Sequence, residues 1–390
     1  MNVITTQNVN QMSVNINPIR ILFLKKKKLG IGTSVVQRNM LRLFEESPNF
    51  KLIVIDDQMK IKNKFLDYIY RLMQSIRVMY ILFDYIYLMS QVIRYRKKVD
   101  YLFIPHYFKY GLLAILVSSL FKIPFIVPLL AWNEKELRLE GASKVKIFIW
   151  LKYEYWVLRK AKCILSSKDL INNYVNIIKN KNKFLRFYFP IDIDKFKPEP
   201  KSEVLNDRLG VSGKKVIFTA APLEGVKGEG IKILLKAFAL VKKERNNVTL
   251  LIAGNGRQRM ELEDLAKALN IKNDVIFLGY CDNIPELLNL CDVFTLIFPF
   301  GGGIGMATKE AMACGKPCVI SKTSGTKVLN NGNEVLLVAA DPENIAGKIK
   351  LLLEDEKYAR YLGINAKRRA EADFSIQSAG NRLNKKLSEI

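Results

Sequence analysis

Apolar residues fall in short blocks along this chain, separated by stretches with the three-to-four-residue spacing of amphipathic helices. IRILFL (19–24) reads as a strand, followed by the turn KKKKLGIGT and a helix from about Ser34 to Glu46. KLIVI (51–55), YLFIPH (101–106), IPFIV (123–127) and KCILSS (162–167) are further strands, with helical character over 60–98 and 143–161. In the second half KVIFTA (215–220), VTLLIAG (248–254), DVIFLGY (274–280), DVFTLIF (292–298) and PCVIS (317–321) alternate with helices near 231–245, 258–269, 284–290 and 306–314. Blocks without polar alternation are strands buried on both faces, and their regular exchange with helices predicts parallel, doubly wound α/β sheets. FPIDIDKFKPEPKSE (189–203), rich in proline and charge, reads as a hinge between two such domains. Open α/β sheets bind ligands at the carboxyl ends of their strands, so the cleft between the domains is the expected site.

Two stretches bear on membranes. Residues 111–132, GLLAILVSSLFKIPFIVPLLAW, are long enough to span a bilayer, but Lys122, Pro124 and Pro128 divide them, so a helix followed by a buried strand is expected instead. The segment 65–98, FLDYIYRLMQSIRVMYILFDYIYLMSQVIRYRKK, sets apolar faces among cations. It suits an interfacial helix on acidic lipid, the favoured reading because its tyrosine and cation density exceeds what packing needs; the alternative is an extended pair of core helices. Residues 1–17 are polar, without the layout of a signal peptide, and are expected to be a disordered leader.

Charge sharpens the picture. The chain of 390 residues has 62 basic and 37 acidic side chains, a formal charge of +25. Residues 1–195 hold 33 of the basic and 14 of the acidic ones, so the excess belongs mainly to the first half and favours an anionic partner there. The run Lys25–Lys28 fits a grip on nucleic acid or lipid phosphate, or a solvated charge run. Nucleic acid is not expected as a partner, since neither zinc-finger spacing nor an aromatic RNA-binding strand is found. Five scattered cysteines (Cys163, Cys281, Cys291, Cys314, Cys318) read as reduced thiols, and with one histidine, His106, a metal site built on several His or Cys is excluded.

The stretch most informative for chemistry is FPFGGGIGMATKEAMACGKPCVIS (298–321). Gly301, Gly302, Gly303 and Gly305 make a loop opening onto a helix, where free amides and the helix dipole favour phosphate. Glu310 follows about a turn later, and a carboxylate there can accept two hydroxyl hydrogen bonds, as a ribose requires. Alone, the loop is equally a plain glycine turn beside a surface glutamate.

Together with VTLLIAGNGRQRMELEDLAKALNIKNDVIFLGYCDNIPELLNLCDVF and SGTKVLNNGNEVLLVAADPENIAGKIKLLLED, this loop resembles the retaining family-four glycosyltransferases (glycosyl transferases group 1) of the GT-B fold, over roughly 215–375. The first half resembles them more loosely. The resemblance implies two Rossmann-like domains: an acceptor-binding domain over 18–195 and a nucleotide-sugar-binding domain over 196–375, with a final helix, 376–390, packed back on the first. It implies no cofactor beyond the nucleotide-diphosphate sugar donor. Glu310 matches the second glutamate of the family's paired-glutamate motif, which holds the donor ribose. Gly303, Ile304, Gly305, Met306 and Ala307 match the segment meeting diphosphate and sugar, Gly32 the first-domain glycine facing the diphosphate, and Asp282 a position beside the base.

The departures are specific. Gly302 stands where the first glutamate is usual. The loop APLEGVKGEGIKILLKAF (220–238) lacks the arginine expected to grip the diphosphate, leaving Lys227 as the nearby cation. Leu130 replaces a histidine, for which His106 stands as a substitute or as a packed structural residue. Asp192 and Asp194 form the one D-x-D, read as polar linker. The expected activity is metal-independent, retaining transfer of a hexose-type sugar to a lipid-linked or polysaccharide-precursor acceptor. It would take place at the cytoplasmic face of an anionic membrane held by the basic half. Lys227, Glu310 and His106 are the expected catalytic set. The rival reading is a catalytically impaired subunit that binds nucleotide sugar or a partner enzyme.

Overall fold

A computed structural model describes residues 18–25, 31–56, 77–130, 134, 137–138, 141–300 and 303–390. Six parallel strands form each of two sheets. In the first the order is β2-β1-β3-β4-β5-β6: β1 Ile19–Lys25, β2 Phe50–Asp56, β3 Tyr101–Phe103, β4 Phe125–Leu129, β5 Cys163–Ser166 and β6 Phe184–Arg186. In the second it is β12-β11-β10-β7-β8-β9: β7 Lys215–Ala220, β8 Val248–Ala253, β9 Val275–Gly279, β10 Val293–Leu296, β11 Cys318–Ser321 and β12 Leu336–Val338. Each sheet has one strand more than the sequence blocks predict. The additions, β6 and β12, are three-residue edge strands, too short to stand out as apolar runs.

Residues 111–132 resolve as the sequence suggests. The helix α3 (Tyr107–Phe121) ends at Lys122 in the left-handed conformation, and β4 follows buried throughout. Among the described residues no helix is long and apolar enough to cross a membrane. All five cysteines are free, and all but Cys281 are buried. The leader 1–17, Lys26–Lys28 and residues 57–76 lie outside the described residues; from Arg77 the tyrosine-rich segment is the helix α2 (Arg77–Tyr95).

The chain crosses between the domains twice, side by side. Ile191 in the hinge donates its N–H to the Phe374 carbonyl at 2.8 Å and pairs with Ser375. Ser375 then caps the last helix, accepting from the Ser378 N–H at 3.2 Å. Ile376, Ala379, Leu383 and Leu387 of that helix share one buried cluster with Phe23, Met40, Phe44 and Phe103 of the first domain. The hinge is pinned from the other side by α1 (Ile31–Glu46): Asn39 Nδ2 donates to the Pro190 carbonyl at 2.8 Å and Arg42 pairs with Asp192. The D-x-D residue Asp192 thereby ties the hinge to the first domain.

Candidate active site

The carboxyl edges of the two sheets face each other. From the first come Gly32, in the opening turn of α1 after β1, His106 after β3, Leu130 after β4 and Ser167 after β5. From the second come the turns after β7, β8, β9 and β10. The edges meet at Gly303, where an added Cβ would lie 3.6 Å from Ser167 Cβ and 3.9 Å from its Oγ.

Gly303 leads into α10 (Met306–Ala313), so named after α4 (Lys144–Lys160), α5 (Lys168–Ile178), α6 (Glu203–Leu209), α7 (Gly225–Glu244), α8 (Arg259–Ala268) and α9 (Ile284–Leu290). Gly305 occupies its N-cap and offers no side chain to the first-turn amides, which therefore stay available to an anion. A Cβ on Gly305 would sit 2.6 Å from Leu296 Cδ2, so the loop hugs the end of β10. Phe298 N–H donating to Ser321 Oγ at 2.8 Å fixes where that loop begins. Ile304, Met306 and Ala307 are half-buried, and Met306 packs on apolar clusters of both domains. Ser167, the N-cap of α5, likewise makes no capping bond, so two open helix N-termini converge here. The sequence reading missed Ser167; its only signal was a polar residue ending a buried strand.

Glu310 is 8% exposed, inside the second turn of α10. Burial pushes its carboxyl up to about 7, against the pull of the Lys309 and Lys195 cations. Ribose hydroxyls donating to it would favour the charged form and reverse that shift. Its neighbour Lys309 is also buried; its ammonium donates to the Phe189 carbonyl at 2.5 Å and lies 5.7 Å from the centre of the Phe374 ring. Burial lowers its pKa to about 7. The helix bearing the candidate ribose carboxylate is thus attached to the hinge through the adjacent residue.

Lys227 corrects the sequence reading. Residues 225–230 are helix rather than loop, and the exposed Lys227 lies in the first turn of α7. Gly228 and Gly230, which looked like loop residues, allow close packing: a Cβ on Gly230 would fall 1.8 Å from the Ile297 carbonyl oxygen, and one on Gly228 2.0 Å from Gln258 Oε1. The turn before α7 is held to the next by Leu223 N–H to Asn255 O at 3.0 Å and Gln258 N–H to Leu223 O at 2.9 Å.

Asp282 is exposed past β9 and hydrogen-bonds Tyr280, raising the phenol pKa. It lies three strand positions from the 303–305 loop, about 14 Å at usual strand spacing, with Arg38 of α1 near enough to act on Tyr280. Asp282 also borders a 270 Å³ cavity with Leu205, Arg208 and Leu278. His106 is the half-buried N-cap of α3, its carbonyl accepting from the Lys109 and Tyr110 amides at 3.1 Å. Leu130 is exposed on the neighbouring strand end. Gly301 and Gly302 lie outside the described residues. Among the described residues no group of three or more His, Cys, Asp or Glu could hold a metal.

Residues 203–369, which include α10 and the turns after β7 to β9, match the family described as glycosyl transferases group 1. Over that stretch the chain is similar to the family. The chain is similar to the N-acetyl-alpha-D-glucosaminyl L-malate synthase of Bacillus anthracis, 30% identical over 53% of this chain and 54% of that protein. It is also 34% identical to the GalNAc-alpha-(1->4)-GalNAc-alpha-(1->3)-diNAcBac-PP-undecaprenol alpha-1,4-N-acetyl-D-galactosaminyltransferase of Campylobacter jejuni, over 40% of this chain and 44% of that one. The chain thus spans about half the length of these curated relatives. The whole fold, both domains included, superposes on HepE of Anabaena in complex with UDP and glucose, with a TM-score of 0.72, 19% identity, and coverage of 95% of this chain and 100% of that one. Two Rossmann-like domains in the GT-B arrangement are the architecture of this chain.

Proposed function

We propose that this protein is a retaining glycosyltransferase, moving a sugar from a nucleotide-diphosphate donor to a lipid-linked or polysaccharide-precursor acceptor. One observation carries the reading: an uncapped helix N-terminus after a glycine loop abuts the other domain at Ser167, with the buried carboxylate of Glu310 in its second turn. The α10 amides and Lys227 receive the charge that develops on the leaving diphosphate, a task for which preorganised donors suffice without a metal. Glu310 accepts the ribose hydroxyls, and the turn bearing Tyr280 and Asp282 receives the base. The protein supplies no nucleophile: the leaving diphosphate and the incoming acceptor share one face of the sugar, which retains its configuration. Gly32 and His106 close the site from the first domain, and domain closure excludes water. The group 1 relative named for a PP-undecaprenol acceptor supports the acceptor class. The basic first half supports a place at an anionic cytoplasmic membrane face.

Incubation with a panel of UDP- and GDP-sugars and lipid-diphosphate acceptors tests the reading. The expected result is transfer with one donor, and product NMR showing the donor's anomeric configuration kept. An inverted product overturns the mechanism; tight donor binding with no turnover on any acceptor replaces the enzyme with the impaired subunit.

A further inference from the structure

The helix α4 has two apolar faces where a surface helix needs one. Ile147, Val157 and Leu158 face the core. On the opposite side Val145 (68% exposed), Phe148 (61%) and Ile149 (60%) project into solvent, and Trp156 continues the stripe two turns later. Tyr153 joins this stripe to α3: its hydroxyl accepts from the Leu112 N–H at 3.2 Å and its ring lies 6.2 Å from Trp156, while Leu112, Leu116 and Leu120 are exposed along α3. Contiguous exposed apolar surface of this kind marks a contact with something apolar.

The charges on α4 say what. It carries Lys144, Lys146, Lys152, Arg159 and Lys160, and its single acidic residue, Glu154, is fully buried and accepts from the Tyr107 and Tyr174 hydroxyls. Among the described residues Lys144, Lys146, Lys152 and Lys160 join no ion pair, and the Lys152 ammonium lies 5.4 Å from the centre of the Phe148 ring. A second copy of the chain would set these cations against each other across a symmetric contact. A bilayer with anionic headgroups takes the apolar side chains below and the ammonium groups at headgroup level.

We propose that Val145, Phe148 and Ile149, with their flanking lysines, dock this protein on an anionic lipid surface. This differs from the segment 65–98 singled out by tyrosine and cation density, and it has a geometric consequence. α4 returns from the carboxyl side of β4 to the start of β5, so its first two turns lie at the cleft rim. There Trp150 packs 4.1 Å from the ring of Phe108, two residues beyond His106. The docking face borders the side of the cleft assigned to the acceptor, so a lipid-held acceptor enters without leaving its membrane. This extends the glycosyltransferase reading and rests on it only for what is delivered.

The test is co-sedimentation of the full chain with phosphatidylcholine vesicles with and without phosphatidylglycerol, at low and high salt. Phe148→Ser/Ile149→Ser is compared with Val204→Gln, a control at an exposed apolar position of the other domain. Wild type should bind the anionic vesicles, less so at high salt; the double variant should bind at least about tenfold less, and the control as wild type. All three should melt alike and bind donor alike by calorimetry. Absence of wild-type binding to anionic vesicles, equal binding by the double variant, or equal loss in the control overturns the proposal. So does a wild-type dimer, seen by ultracentrifugation, that the double variant abolishes. A chain that docks through this face yet binds no nucleotide sugar keeps the lipid face and overturns the enzyme instead.

Discussion

Replacing Glu310 by glutamine removes a charge and almost no volume from a position that is 8% exposed. In the ligand-free protein burial holds the carboxyl near 7, against 4.5 ordinarily. The folded state therefore binds the proton more tightly than the unfolded one. Stability from this group is full below about pH 4.5 and is lost as pH rises through 7. Between pH 5 and pH 8 the loss grows by about 2.5 kcal/mol. Glu310→Gln escapes it, although its Lys309 neighbour then loses a favourable charge. The variant should gain on the wild type as pH is raised, by about 2–3 °C in melting temperature at pH 8 for a chain of 390 residues unfolding as a unit. Donor binding should move the other way. Exchanging a carboxylate for an amide under two hydroxyl donors costs about 2 kcal/mol, or about 30-fold in affinity by calorimetry. Gain of stability with loss of affinity is the signature of a charge kept buried for its ligand. A variant less stable across this range, or one that binds donor as the wild type does, refutes it.

Gly230→Ala places a methyl 1.8 Å from the Ile297 carbonyl oxygen, so α7 must shift; the urea midpoint should fall by the equivalent of about 2–3 kcal/mol, and an unchanged midpoint contradicts the close packing. Lys227→Met should keep the wild-type midpoint, since Lys227 is exposed in a first helical turn. Its turnover should drop about 100-fold if it meets the leaving diphosphate, and wild-type kcat removes it from the site.

Long buried strands were legible because an apolar run needs no context: KVIFTA is β7 residue for residue. The proline-rich stretch 189–203 lies between β6 and β7, the last strand of one sheet and the first of the other. Three features were hidden for definite reasons. Glycines at 228 and 230 signal freedom in a sequence, whereas here they remove atoms from a helix pressed on a neighbouring loop. Ser167 gains its meaning only from Gly303, far away in the chain, so no local pattern carries it. The outer face of α4 could not be told from its inner face because both are apolar; only packing decides which stripe the core uses. For the same reason lipid contact was sought in 65–98, where the composition is more conspicuous.

The last helix, Ile376–Ser388, closes the apolar cluster around Phe23 and Phe44. A ribosome has by then added the whole second domain, a delay of about 10–40 s at ordinary elongation rates after the first sheet has emerged. Through that interval the face meant for Leu383 and Leu387 is bare, so the half of the chain made first is finished last. A fragment ending at the hinge would keep that face bare permanently, and its fate should be aggregation rather than a stable domain.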